Sequence, residues 1–205
     1  MGNMKKLLYI ALCAVLLFLG YRIFFTSLPG EKGQIRSQTI VCFGDSLTSG
    51  TGAGKEMDYP SQLSKMIGKS VINAGLPGDT TAGAMQRLER DVLIKAPDIV
   101  LITLGGNDLK NGVAKERAFE NLRIIVESIQ NTGAKVILGG LKIPIRDRGF
   151  GRAYQKLADD TGAILIPNML EGIMGNRNLM SDPIHPNDAG YKIIAERFYQ
   201  AMVRQ

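Results

Sequence analysis

A serine hydroxyl is a weak nucleophile at neutral pH and needs a neighbouring base to take its proton. The chain holds a single histidine, His185, so Ser-His machinery must use it. His185 stands in Asp182-Pro183-Ile184-His185-Pro186, a turn stiffened by prolines, with a carboxylate one short step upstream. From there Asp182 can accept from the imidazole Nδ1–H, fix the tautomer and stabilise the imidazolium. The serine best placed to react is Ser46, in Gly44-Asp45-Ser46-Leu47, directly after Thr39-Ile40-Val41-Cys42-Phe43. That apolar, β-branched run reads as a buried strand ending at a sharp turn. In open α/β sheets the carboxyl ends of strands are where ligands bind.

Two more strand-end loops hold suitable donors. In Gly105-Gly106-Asn107-Asp108 the Asn107 amide can aim at a developing oxyanion. In Asn73-Ala74-Gly75 the glycine lacks a Cβ, so its N–H can approach a ligand closely. Each segment alone has a plainer reading. A histidine beside prolines suits the surface. Gly-Asp-Ser-Leu suits a strand-to-helix turn with Asp or Ser as N-cap. Gly-Gly-Asn-Asp suits a turn.

The intervening pattern says what must position these residues. Strands are expected at 39–43, 70–73, 99–104, 135–138 and 163–166, with 73–78 a loop. Helices are expected at 58–67, from a cap at Asp79 or Thr80 to about 95, and at 115–132, 150–161 and 188–204. Residues 141–149 read as a loop, and 169–179 as irregular or briefly helical. On 115–132, Phe119, Leu122, Ile125, Val126 and Ile129 share one face. Strands alternating with helices imply an α/β fold of three layers, with a five-stranded parallel sheet in a flavodoxin-like arrangement. The carboxyl ends of the first three strands would then share one edge, and the loops above would converge.

The formal charge is +6, and half of it comes from Lys5, Lys6, Arg22 and Lys32 against Glu31. No basic block with interleaved aromatics remains, so nucleic-acid binding has little support. Cys13 and Cys42 are not expected to pair, and one His without a Cys pair gives no metal-type cluster. Lys5 and Lys6 precede an apolar run at 7–19 that resumes at 23–25. Residues 1–26 are therefore expected to be an uncleaved signal anchor, with a cleaved signal peptide as the alternative. Residues 27–37 would be a tether, and 38–205 the folded domain.

In this order and spacing the segments resemble the SGNH (GDSL) hydrolases. Gly44-Asp45-Ser46-Leu47, Gly75, Gly105-Gly106-Asn107-Asp108 and Asp182-Pro183-Ile184-His185 match successive blocks of that family across nearly all of 38–205. The branch most alike is the small bacterial arylesterase, thioesterase and lysophospholipase group. The resemblance implies that Ser46 is the nucleophile, His185 the base and Asp182 its partner. It implies an oxyanion hole from the N–H groups of Ser46 and Gly75 and the side chain of Asn107. Asp45 and Asp108 would hold loops. Pro183 departs from a position where the family often has glycine.

The expected activity is hydrolysis of carboxylic esters or thioesters, without cofactor or metal, on a small acyl ester or lipid-like substrate. The alternative is an O-deacetylase or O-acyltransferase working on a cell-envelope polysaccharide. The leader would anchor the enzyme in the inner membrane on the periplasmic side of a bacterial envelope, or deliver it there by cleavage. Leu76, Leu109, Val113, Ile143, Phe150, Leu179 and Ile184 are candidates for an acyl pocket or for capping the core. Arg146 and Arg148 can meet an anionic head group or belong to a solvated loop.

Overall fold

Strand β1 (Ile40–Gly44) is buried along its whole length. A run with no polar alternation suits a strand covered on both faces. It lies between β2 (Val71–Gly75) and β3 (Ile99–Thr103), and β4 (Lys135–Gly139) and β5 (Ile164–Ile166) complete the sheet. The order is β2-β1-β3-β4-β5 and every pairing is parallel. This is the expected flavodoxin-like layout. The strand order reverses around β1, which opens a crevice at the carboxyl ends of β1 and β3. The structure is a computed structural model describing residues 38–142 and 148–203. The leader 1–26, the tether 27–37, Ile143 and Arg146 lie outside the described residues. Among the described residues no helix is long and apolar enough to cross a membrane.

Parallel strands need crossovers, and helices supply them. They are α1 (Ser46–Ser49), α2 (Tyr59–Ile67), α3 (Thr81–Asp91), α4 (Gly106–Lys110), α5 (Lys115–Gln130), α6 (Phe150–Thr161) and α7 (Asp188–Val203). Helix α2 packs on α7, where Tyr59 and Phe198 stack with ring centroids 5.0 Å apart. Helices α3, α5 and α6 pack side by side. Ala118, Leu122, Ile125, Val126 and Ile129 form the buried stripe of α5. Phe119, at the edge of that stripe, meets Phe150 and Tyr154 edge-on.

Three boundaries differ from the sequence reading. Ala74 and Gly75 are strand rather than loop, paired with Phe43 and Gly44, and Asn73 is the middle of the strand rather than its end. An edge strand tolerates an exposed polar residue such as Asn73, so hydropathy ends the strand too early. The helix expected to reach about 95 stops at Asp91, and a single 3₁₀ turn covers Leu93–Lys95. Pro97 disfavours helical backbone in the residue before it, and Ala96 turns left-handed at φ +46°. The Gly-Gly-Asn-Asp turn instead opens α4. Gly105 has φ +107°, and a Cβ there would collide with the Tyr154 hydroxyl.

Buried Asp108 ties these helices together. It accepts from Thr81 N–H at 2.9 Å and from Thr81 Oγ1 at 2.7 Å. Asn121 Nδ2 on α5 donates to the same Thr81 hydroxyl. Asp108→Ala strands a buried donor at the start of α3, and should cost about 2–3 kcal/mol. Urea unfolding would measure this, and a loss below ~0.5 kcal/mol would remove Asp108 from the framework.

Candidate active site

The chain leaves β1 at Gly44. Asp45 N–H donates to Thr103 O on β3, and the Asp45 carboxylate caps α1 by accepting from Leu47 N–H at 3.0 Å. Ser46 is the first residue of that short helix and is half-buried. The first N–H groups of a helix have no intrahelical acceptor, so the Ser46 N–H belongs to the donors a turn of this kind leaves available.

The loop before α7 brings His185. His185 Nε2 lies 3.0 Å from Ser46 Oγ, and His185 Nδ1 lies 2.7 Å from Asp182 Oδ2. With Nδ1 donating to the carboxylate, Nε2 is left as an acceptor facing the hydroxyl. Asp182 Oδ1 accepts the N–H groups of both Ile184 and His185 at 2.8 Å. Ser181 N–H donates to His185 O, and Met180 bridges Pro186, which closes the loop. Pro183 causes no gap, because the turn draws its donors from the two residues after it. The hydrogen bond from His185, followed by that from Ile184 N–H, holds the Asp182 carboxyl down at about 2. The carboxylate thus stays charged beside the imidazole across ordinary pH.

The third block converges as expected, and the second needs a correction. Asn107 Nδ2 donates to Asp79 O at 2.9 Å and to Asp45 Oδ2 at 3.2 Å. Gly75 N–H is already taken by Asn73 Oδ1 at 2.9 Å. A Cβ on Gly75 would meet the backbone of Thr48 and Ser49, so this glycine lets β2 pack against α1. It does not offer its N–H to the cavity. The available glycine in this loop is Gly78, which sequence reasoning passed over. It is exposed at φ +81° with open space where a Cβ would be. Among the described residues its N–H has no hydrogen-bond partner. The next residue, Asp79, supplies the carbonyl that Asn107 holds. A glycine just before a capped helix start, Gly78-Asp79-Thr80, was the signal available.

Sequence reasoning also missed Arg87. An arginine in an amphipathic helix reads as solvent face, as Arg90 does. Yet Arg87 is buried, with Nε on Asp79 Oδ2 at 2.7 Å, Nη1 on Ala74 O at 2.9 Å and Nη2 on Gly44 O at 2.8 Å. Its guanidinium carbon sits 4.4 Å from the centre of the Phe43 ring.

Ser46, Asn107 and His185 face a cavity of about 760 Å³. Its walls include Leu47, Leu109, Leu141, Leu170, Met174 and Ile184, with Lys110 and Arg148 also lining it. Of the residues named above for a pocket, Leu109 and Ile184 line it. Phe150 is buried in the core, Val113 and Leu179 pack against that core, and Leu76 is exposed away from the lining. Leu47, Leu141, Leu170 and Met174 were missed because nothing in their spacing separates a residue that lines a cavity from one that caps the core. Among the described residues no group of His, Cys, Asp and Glu is arranged to hold a metal.

Residues 42–193 match the model of the GDSL-like lipase/acylhydrolase family. The esterase TesA of Pseudomonas aeruginosa is 31% identical over 180 residues, covering 82% of this chain and 90% of its own. The thioesterase 1/protease 1/lysophospholipase L1 of Escherichia coli (strain K12) is 30% identical over 168 residues, covering 78% of this chain and 81% of its own. A crystal structure of TesA superposes with a TM-score of 0.77 at 30% identity, over 82% of this chain and 99% of that one.

Asp45 offers a test of the site's electrostatics. Burial pushes its carboxyl up to about 6, against the lowering effect of the Leu47 N–H bond, and the Asp79 charge adds to the rise. The unfolded chain releases that proton near pH ~3.9. Between about pH 4 and 6 the native state therefore binds more protons than the unfolded state. The stabilisation is complete below the unfolded value and is lost as pH rises through about 6. Asp45→Asn does not titrate, so its stability deficit against the unsubstituted chain should be largest near pH ~4 and shrink towards pH ~7. Urea midpoints at matched ionic strength would read this. A deficit that grows with pH would reverse the assignment.

Proposed function

The chain belongs to the GDSL-like lipase/acylhydrolase family, and on that premise we propose that it is a serine esterase acting on carboxylic esters or thioesters through Ser46, His185 and Asp182. The observation that carries the reading is the unbroken line from Ser46 Oγ to His185 Nε2 at 3.0 Å and from His185 Nδ1 to Asp182 Oδ2 at 2.7 Å. That line ends at a cavity with an apolar wall.

In the proposed mechanism Ser46 Oγ attacks the acyl carbonyl while His185 Nε2 takes the hydroxyl proton. Asp182 stabilises the imidazolium. The oxyanion is stabilised by the N–H groups of Ser46 and Gly78 and the amide of Asn107. Asn107 must turn one hydrogen from Asp45 or Asp79 towards the developing charge. His185 returns its proton to the leaving alcohol or thiol. Water then attacks the acyl-Ser46 ester with His185 again as base, releasing the acid and restoring the hydroxyl. Leu47, Leu109, Leu141 and Ile184 support an acyl chain of appreciable length, in keeping with the esterase and lysophospholipase names of the relatives. We further infer from Lys5, Lys6 and the apolar run after them that residues 1–26 carry the domain to the bacterial envelope.

The test is hydrolysis of p-nitrophenyl esters from acetyl to palmitoyl by the full chain. The rate should peak at medium or long acyl groups. Ser46→Ala should lower kcat by roughly 10³-fold or more, and Asn107→Ala by about 10²–10³-fold. Near-full activity of Ser46→Ala would remove the nucleophile. Ser46-dependent activity confined to acetyl would move the reading to deacetylation.

A further inference from the structure

We infer that Arg87 is a positioning residue for the oxyanion-stabilising groups, acting through Asp79. This rests on the esterase reading above. The two side chains form a buried ion pair, 7% and 5% exposed, at 2.7 Å. A buried pair is a poor stabiliser compared with apolar packing, because desolvation offsets the attraction. Its value here lies in what it joins.

The planar guanidinium has donors in fixed directions. One reaches Gly44 O, at the end of the strand that delivers Ser46, and another reaches Ala74 O near the end of β2. A third fixes the Asp79 carboxylate. Asp79 is the residue after Gly78, whose N–H is unpartnered, and its carbonyl holds the Asn107 amide at 2.9 Å. Asp79 N–H in turn donates to Leu76 O, and Leu76 N–H to Gly44 O. Arg87 therefore gauges the distance between the nucleophile's turn and the segment that carries or orients two of the three donors. Phe43 beneath the guanidinium and Asp91, 3.0 Å from Nη1, hold the gauge itself in place. Neither Arg87 nor the Asp79 carboxylate lines the cavity, so substrate binding should be spared.

The measurement compares the unsubstituted chain with Arg87→Lys, which keeps the buried charge but loses the fork. Turnover of the best p-nitrophenyl ester should fall ~10–100-fold in kcat with KM within about 3-fold. Affinity for an alkylboronic acid, which forms a tetrahedral adduct on Ser46, should fall by the same factor as kcat. Inhibition by the alkyl alcohol of the same length, which needs no oxyanion donors, should be unchanged. Glu89→Gln, on the exposed side of α3, should match the unsubstituted chain in every readout. Should Arg87→Lys not fold, Asp79→Asn carries the same readouts from the other side of the pair. A folded variant with unchanged kcat, or with lowered kcat and unchanged boronate affinity, would overturn the role. Absence of Ser46-dependent ester turnover in the unsubstituted chain would sink the esterase reading instead. The Arg87 role would then be decided by boronate affinity alone.

Discussion

The site depends on a constraint at Asp45. The chain must pass from a strand sealed on both faces to the half-buried Ser46 hydroxyl within a single residue. Asp45 makes that passage possible with three bonds. Its N–H reaches across to Thr103 O, one carboxylate oxygen caps α1 at Leu47 N–H, and the other accepts from Asn107 Nδ2. Strand β1, helix α1 and the Asn107 side chain are thus fastened to one buried residue. The short helix α1 has too few hydrogen bonds to persist alone. It exists because its cap and its packing against β2 at Gly75 hold it.

The histidine poses the opposite problem. It arrives from near the other end of the chain on a loop with little regular structure, and must still stand within hydrogen-bond reach of Ser46 Oγ. The loop achieves this by turning inward on Asp182. One oxygen of that carboxylate organises the backbone of Ile184 and His185, and the other holds the ring. Tyr191 on α7 adds a remote tie by donating to Thr51 O, just past α1. Asp182 therefore both holds the His185 ring and builds the loop that presents it.

Much of this was legible before any coordinates. The parallel sheet follows from apolar runs alternating with amphipathic ones. Ser46, Asn107, His185 and Asp182 come together because loops after parallel strands must share an edge. What was not legible depends on which way a backbone group points. Gly75 and Gly78 both suit a donor loop by composition, and only the bond from Gly75 N–H to Asn73 Oδ1 separates them. Arg87 and Arg90 look alike on one helix, and only their burial tells them apart. The strand residues Ala74 and Gly75 were hidden because pairing to β1, not hydropathy, decides where β2 stops.

The two aspartates flanking the machinery are tuned in opposite senses, and the contrast explains the division of labour between them. Asp182 is largely open to water yet held low by hydrogen bonds that favour its charge. Asp45 is sealed and pushed up by desolvation. A carboxylate facing an imidazole favours its protonated form only while charged, and of the two only Asp182, held down at about 2, stays charged at mildly acid pH. Asp45 has a structural task, and a carboxylate that is costly to bury suits it for a physical reason. Both of its oxygens accept hydrogen bonds, one from the Leu47 N–H at a helix start and one from the Asn107 amide that also reaches Asp79 O. An uncharged asparagine would face Asn107 Nδ2 with a second amide or leave one acceptor missing. The cost of burying Asp45 is therefore the cost of keeping the Ser46 turn and the Asn107 amide in one frame.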